Sequence, residues 1–251
     1  MITAALLALA LPPFTHPALI IIGAAAAILL AKHAYGGYGR NRFNPAMAGY
    51  ALLLVLYPAA LTQWPQGIDG ITGATALDVF KQNRADLVAD WWRAHAAFGQ
   101  IGGSGWEWIN AVFLAGGVCL LQRKVFSVHA PLAAIGALIF FSAVFYDGGS
   151  SNSGGSPLMH LFSGSTMLGI FFVVTEPVTA PGTKFARAIY GALIGTWIFA
   201  IRHWGHYADG IAFAVLFGNA IAPLLDRSMR ALAARGMLRE VPREQGVPRN
   251  E

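Results

Sequence analysis

An all-α polytopic transmembrane helix bundle, with seven full spans and a short N-terminal helix, is the architecture this sequence predicts. Of its 251 residues, 56% are hydrophobic and only 12% are charged, whereas soluble domains carry about 25% charged residues. The apolar residues fall in blocks close to the ~20 residues that cross a bilayer as helix. Lys and Arg sit mainly at block ends and in the C-terminal tail, which is where membrane topology places them.

Taken in order, the apolar runs are 2–12, 17–34, 43–60, 105–121, 127–146, 157–174, 186–203 and 208–225. The first is short because Pro12-Pro13 remove backbone donors and stop a helix. Met1 is followed by no basic region, so this run reads as part of the bundle and not as a cleaved signal peptide. Residues 1–226 form the expected transmembrane domain, with an outer loop at 62–104, and 227–251 form a basic tail.

Alternate loops differ sharply in charge. One set contains Lys32, Arg40, Arg42, Arg123, Lys124, Lys184, Arg187 and six arginines from Arg227 to Arg249, thirteen in all; the other contains Lys81, Arg84, Arg93 and Arg202. Cytoplasmic loops retain positive charge, so the first set and the C-terminus are expected inside and loop 62–104 outside. Gly191-x-x-x-Gly195, Gly116-Gly117 and the run Ala24 to Ala27 suit close helix packing in lipid.

Several chemistries are set aside by the same reading. Cys119 is the only cysteine, so no cysteine-held iron–sulfur centre or disulfide framework is expected and redox chemistry would need another cofactor. The net charge of +5 comes without the aromatic interleaving of a base-stacking groove, and no nucleic-acid partner is expected. No nucleophile–base triad or phosphate-binding loop is present. His203 and His206 have no third partner to complete a zinc site, and no metal is expected.

Polar residues in the apolar blocks carry two readings each. Asn44 before Pro45 suits a helix N-cap or a ligand contact. Glu176 before Pro177 suits a solvated end or a carboxylate holding a cation or neighbouring backbone. His160, Ser163 and Thr166 share one face of a continuous helix and would pack or line a polar seam. Trp91, Trp92, Trp106 and Trp108 border the outer loop as interface anchors or as surfaces on which a planar ring could stack.

Within loop 62–104 lies Asp69-Gly70-Ile71-Thr72-Gly73-Ala74-Thr75-Ala76-Leu77-Asp78. Asp69-Gly70 favours a turn and the small residues leave the Thr75 hydroxyl uncrowded. Three further blocks accompany it: Tyr35-Gly36-Gly37-Tyr38-Gly39-Arg40-Asn41-Arg42-Phe43-Asn44-Pro45, His160 to Gly169 running on to Thr175-Glu176-Pro177-Val178-Thr179-Ala180-Pro181, and Tyr207-Ala208-Asp209-Gly210-Ile211 running on to Asn219 and Pro223. Together these resemble, in the same order and over residues 2–226, the D subunit of the Rnf electron-transport complex and the related B subunit of the sodium-translocating NADH:quinone oxidoreductase.

That resemblance implies an electron-transfer subunit of an ion-translocating oxidoreductase complex, multi-pass in a bacterial inner membrane. It implies FMN joined to Thr75 through a phosphoester, with Asp69, Gly70, Thr72, Gly73 and Ala74 forming the attachment motif, and a flavin transferase acting outside. It also implies a second flavinylated subunit among the membrane partners, and room for a second, non-covalent flavin such as riboflavin. Family members carry about two more spans at the N-terminus, so a duplication of five plus five helices is not complete within this sequence. The residues alone leave a small-solute transporter or channel open, because Pro-interrupted segments at 11–17 and 175–181 suit broken-helix binding sites.

Overall fold

A computed structural model describes residues 1–34, 37, 39–66, 71–82, 90, 92–93, 95–148, 150 and 153–235. The chain folds into an all-α bundle. Its helices are α1 (Ile2–Ala10), α2 (Pro17–Ala25, continuing as a π-helix over Ala26–Ala34), α3 (Pro45–Leu56), α4 (Pro58–Leu61), α5 (Ala76–Gln82), α6 (Trp106–Gln122), α7 (His129–Val144), α8 (Pro157–Phe162), α9 (Thr166–Leu168, continuing as a π-helix over Gly169–Val173), α10 (Lys184–His203) and α11 (Ile211–Ala234). Among the described residues, three helices are long and apolar enough to cross a membrane, namely Pro17–Ala34, Lys184–His203 and Ile211–Ala234.

Local chemistry sets the helix starts. Asn44 Oδ1 accepts from the Met47 N–H at 3.1 Å and Ser156 Oγ accepts from the Met159 N–H at 3.1 Å, each with proline at the next position. Thr183 Oγ1 does the same for the Ala186 N–H at 3.1 Å. A polar N-cap satisfies a donor that the helix cannot, and proline there gives up an N–H that had no partner. The capping role expected for Asn44 is therefore present.

Small residues set the packing. A Cβ at Gly191 or Gly195 would fall onto the carbonyl oxygen of Ala130 or Ala134, so α10 lies directly against the backbone of α7. Gly117 likewise meets the Phe171 ring. Tyr190, Ile194, Ile198 and Phe199 fill the centre, with Leu138, Ile170, Phe171 and Val215 around them. Outward-facing Ile21, Leu29, Val112, Phe140 and Leu224 are exposed, an apolar surface that suits lipid contact.

Two expected spans are interrupted. The run 43–60 divides at Tyr57, ahead of Pro58, into α3 and α4. The run 157–174 is not one helix: Ser163 is extended, Gly164 has a φ of 60°, and helix resumes at Thr166. The expectation that His160, Ser163 and Thr166 line one continuous helical face is corrected accordingly. The break holds because its backbone groups are taken up elsewhere. Asn110 Nδ2 donates to the Gly164 carbonyl at 2.8 Å, Asn110 Oδ1 accepts from the Met167 N–H at 2.9 Å, and Arg202 Nη1 donates to the His160 carbonyl at 2.7 Å. Irregular backbone at membrane depth needs such partners.

The long loop that begins at residue 62 contains a small feature that the apolar pattern did not predict. Strands β1 (Trp64–Gln66) and β2 (Ile71–Gly73) pair antiparallel, with Trp64 opposite Gly73 and Pro65 opposite Thr72. Helix α5 follows at once, burying Leu77 and Phe80 in an apolar cluster with Ala97, Phe98 and Met159. This second cluster fixes α5 onto one end of the bundle.

Candidate functional site

Thr75 precedes the first residue of α5 and is half-buried. Its hydroxyl donates to Asp78 Oδ2 at 2.6 Å, its N–H donates to the same oxygen at 3.1 Å, and the Asp78 N–H donates back to Thr75 Oγ1 at 3.3 Å. This reciprocal cap ties the two side chains together. At the other end of α5, Lys81 Nζ donates to the carbonyls of Ile201 at 3.0 Å, Arg202 at 3.4 Å and Tyr207 at 2.9 Å. A cation on the last carbonyls of α10 complements that helix end and docks α5 against it.

The rest of the expected attachment motif divides in two. Asp69 and Gly70 lie outside the described residues, as do Tyr35, Gly36, Tyr38 and Trp91. Thr72 and Gly73 belong to β2, and Gly73 and Ala74 lead directly into Thr75. Gly73, Ala74 and Thr75 also line a small recess of about 10 Å³ against Trp64 and Trp106.

A larger, open cleft with a cavity volume of about 130 Å³ lies beside Thr75. Asp78, Trp64, Trp106, Tyr207 and Asp209 line it with Thr75. Trp64 and Trp106 meet edge to face with ring centroids 4.9 Å apart. Among the tryptophans singled out in the sequence, Trp106 reaches the cleft, while Trp92 packs on Phe98 at 4.5 Å and donates to the Gly99 carbonyl at 3.0 Å. Trp108 is 73% exposed on the outward face of α6. Trp64, His206, Tyr207 and Asp209 had no assigned role at the cleft in the sequence. The signal that could have found Asp209 is Asp-Gly ahead of an apolar run, because its Oδ1 accepts from the Ile211 N–H at 3.3 Å as α11 begins.

Beneath the cleft lies a charged floor. Arg202, only 3% exposed, donates from Nη2 to Asp209 Oδ1 at 3.1 Å and to Thr166 Oγ1 at 2.9 Å. Asp209 Oδ2 accepts from the Ser165 N–H at 3.2 Å and the Ser165 hydroxyl at 3.0 Å. A further small recess of about 20 Å³ runs along Met47, Leu168, Gly169 and Val173, and it shares Ala10, Tyr50, Ser165 and Asp209 with the cleft. Arg202 and Asp209 therefore join the helix break to the cleft wall.

Burial pushes the Asp78 carboxyl above the usual carboxylate range, and the charge of Asp209 adds to that, while the hydrogen bonds from Thr75 and the charge of Lys81 oppose it. The pair is thus a hydroxyl aimed at a carboxylate with enhanced proton affinity, on the edge of an aromatic-walled cleft. Among the described residues, no three His, Cys, Asp or Glu side chains gather closely enough to hold a metal ion.

A second polar centre lies between the start of α3, the turn after α9, α10 and α11. Asn44 Nδ2 donates to Glu176 Oε2 at 2.9 Å, and the Thr179 hydroxyl donates to the same oxygen at 3.1 Å. Asn219 Oδ1 accepts from the Asn44 N–H at 2.9 Å, and Asn219 Nδ2 donates to the Tyr190 hydroxyl oxygen at 2.8 Å. Of the two readings of Glu176, the structure favours the one in which it holds its neighbours. Burial raises its carboxyl, against the lowering effect of those two hydrogen bonds and Lys32.

Comparison with known proteins bears on both centres. Residues 1–234 match the model of the NQR2, RnfD, RnfE family. The D subunit of an ion-translocating oxidoreductase complex from Cellvibrio japonicus is 46% identical over 253 residues, covering 90% of this chain and 71% of the relative. The corresponding protein from Pseudomonas paraeruginosa is 44% identical over 245 residues, with the same coverage. That from Vibrio vulnificus is 39% identical over 271 residues, covering 90% of this chain and 75% of its own length.

Proposed function

This chain belongs to the NQR2, RnfD, RnfE family, and we propose that it carries FMN covalently on Thr75, at the mouth of the aromatic cleft on the outer side of a bacterial inner membrane. It is an electron-transfer subunit of a translocase-class oxidoreductase complex of the Rnf type. The observation that supports the flavin reading is one of placement: the Thr75 hydroxyl stands on the rim of an open cleft walled by Trp64, Trp106 and Tyr207. Cofactor sites are mostly apolar and aromatic with a few placed polar groups, and a cleft walled by Trp64, Trp106 and Tyr207 with Asp78 and Asp209 on its edge has that character, so the residues present fit a tethered flavin.

When bound, FMN supplies the redox chemistry, and the protein supplies position and electrostatics. Thr75 would hold the phosphate. Trp64, Trp106 and Tyr207 would flank the ring system, where aromatic faces favour offset or edge contact. Asp209, neutralised by Arg202, would keep the cleft floor from repelling added electron density. A tether also holds the cofactor at high effective concentration beside its redox neighbours.

The remaining apolar helices complete seven crossings in this reading, with loop 62–104 outside and the C-terminus inside. Other membrane subunits, one of them also flavinylated, supply and accept electrons, and a flavin transferase matures the chain. A second, non-covalent flavin such as riboflavin would sit deeper in the bundle. The transporter alternative has less to support it, because the freed groups of the broken helix after α8 are taken by Asn110 and Arg202, leaving fewer for a solute.

Denaturing electrophoresis under ultraviolet light tests the proposal. After co-expression with a flavin transferase, the wild-type chain should give a fluorescent band and Thr75→Ala a dark one. A dark wild-type band, or a Thr75→Ala band as bright as wild type, would overturn it.

A further inference from the structure

Resting on the assignment of Thr75 as the flavin acceptor, we propose that Asp78 is the proton acceptor for phosphoester formation, so that this chain supplies part of the chemistry of its own flavinylation. Its Oδ2 lies 2.6 Å from Thr75 Oγ1, in line to receive the hydroxyl proton. A threonine hydroxyl is a weak nucleophile, and an adjacent base that removes its proton during attack is the usual remedy.

The step balances with a flavin nucleotide pyrophosphate, such as FAD, as co-reactant. Thr75 Oγ1 forms a bond to the flavin-side phosphorus while the bond from that phosphorus to the bridging oxygen breaks. The hydroxyl proton passes to Asp78, and adenylate leaves with the bridging oxygen and its electron pair. No oxidation or reduction takes place. Asp78 then returns its proton to water in the cleft that both residues line.

The surroundings suit a base and not a permanently ionised cap alone. Burial and Asp209, from the turn before α11, raise the proton affinity of Asp78, while Thr75 and Lys81 from its own segment lower it. Tyr50 from α3, with His206 and Tyr207 from the turn after α10, complete the titratable groups facing the same cleft.

Capping and base catalysis separate cleanly by substitution. In Asp78→Asn the side-chain oxygen still accepts from the Thr75 N–H and hydroxyl, but it cannot take a proton. The purified full-length chain, incubated with flavin transferase and FAD, should incorporate covalent FMN about a hundredfold or more slowly in Asp78→Asn, with an unchanged gel-filtration profile. The wild-type rate should rise with pH as Asp78 ionises, and that limb should be missing from the variant. Asp78→Glu and Asp78→Gln form a second pair of equal length, in which only Glu should retain substantial attachment; this pair decides the matter if Asp78→Asn does not fold.

Attachment to Asp78→Asn at the wild-type rate would overturn the inference and leave the Thr75 assignment standing. Absence of flavin from the wild-type chain would overturn both.

Discussion

The two polar centres of this bundle solve the problem of burying polar groups in different ways. At the cleft, the outer centre of the proposed topology, Arg202 is buried together with Asp209 and the carbonyls and hydroxyls of a broken helix. Glu176 at the other centre has neutral donors, the Asn44 amide and the Thr179 hydroxyl, on one oxygen. A buried guanidinium with fixed donors demands its partners at all times. A carboxyl held by neutral donors can be charged or neutral without losing its contacts. The first arrangement suits a rigid frame for a cofactor cleft, and the second a position whose protonation responds to its surroundings.

Breaking the outer frame should have the largest effect. Arg202→Met takes the guanidinium from Asp209 and the His160 carbonyl, which keep only the Ser165, Ile211 and Thr166 donors, and removing one partner of a buried ion pair costs up to about 3–5 kcal/mol. We expect most of this variant to be lost on detergent extraction, with Arg202→Lys intermediate, as read by fluorescence-detected gel filtration. A variant as stable as wild type would mean that the outer centre is not a rigid frame.

Lys81→Met probes the attachment of α5 to that frame and should cost less. Charged hydrogen bonds contribute about 1.5–3 kcal/mol, and here they act on one short helix. Amide exchange over residues 76–82 should quicken while α10 and α11 stay protected. Uniform loosening, or none, would show that the apolar contacts of Leu77 and Phe80 hold α5 by themselves.

The smallest effect is expected at the neutral-donor centre. Because burial raises the folded-state pKa of Glu176, the stability it contributes is fully present below its unfolded pKa and is lost as pH rises through the raised value. Glu176→Gln keeps an acceptor for Asn44 and Thr179 while removing that titration. Its thermal midpoint should vary less with pH, exceeding wild type at the alkaline end by about 2–4 °C or less. A variant with the wild-type pH dependence would sink this account of Glu176.

The contrast between the centres also marks how far sequence reading reached. The all-α character and the approximate places of most helices were legible because long apolar blocks favour helix, and Asn44-Pro45 could be read as a cap because capping is a local event. Gly191 and Gly195 pointed correctly to close packing. The break at Ser163 to Ser165 was hidden, since its stability comes from Asn110 and Arg202, distant in sequence. For the same reason Arg202 counted as a loop charge, although it lies under the cleft.

Within the site, Thr75 stood out through its motif and its resemblance to a known family, whereas the walls did not. Trp64 and Tyr207 meet only when the outer loop folds over the bundle, and neither is marked by spacing. Lys81 was visible as a charge but not as a clamp, because its acceptors are main-chain carbonyls of another helix.

The most direct test of the central claim is tandem mass spectrometry of the fluorescent tryptic peptide covering residues 43–81 from the mature chain. The account predicts FMN joined through a phosphoester to Thr75, with Thr72 unmodified. An unmodified Thr75, or a flavin carried on Thr72, would contradict it.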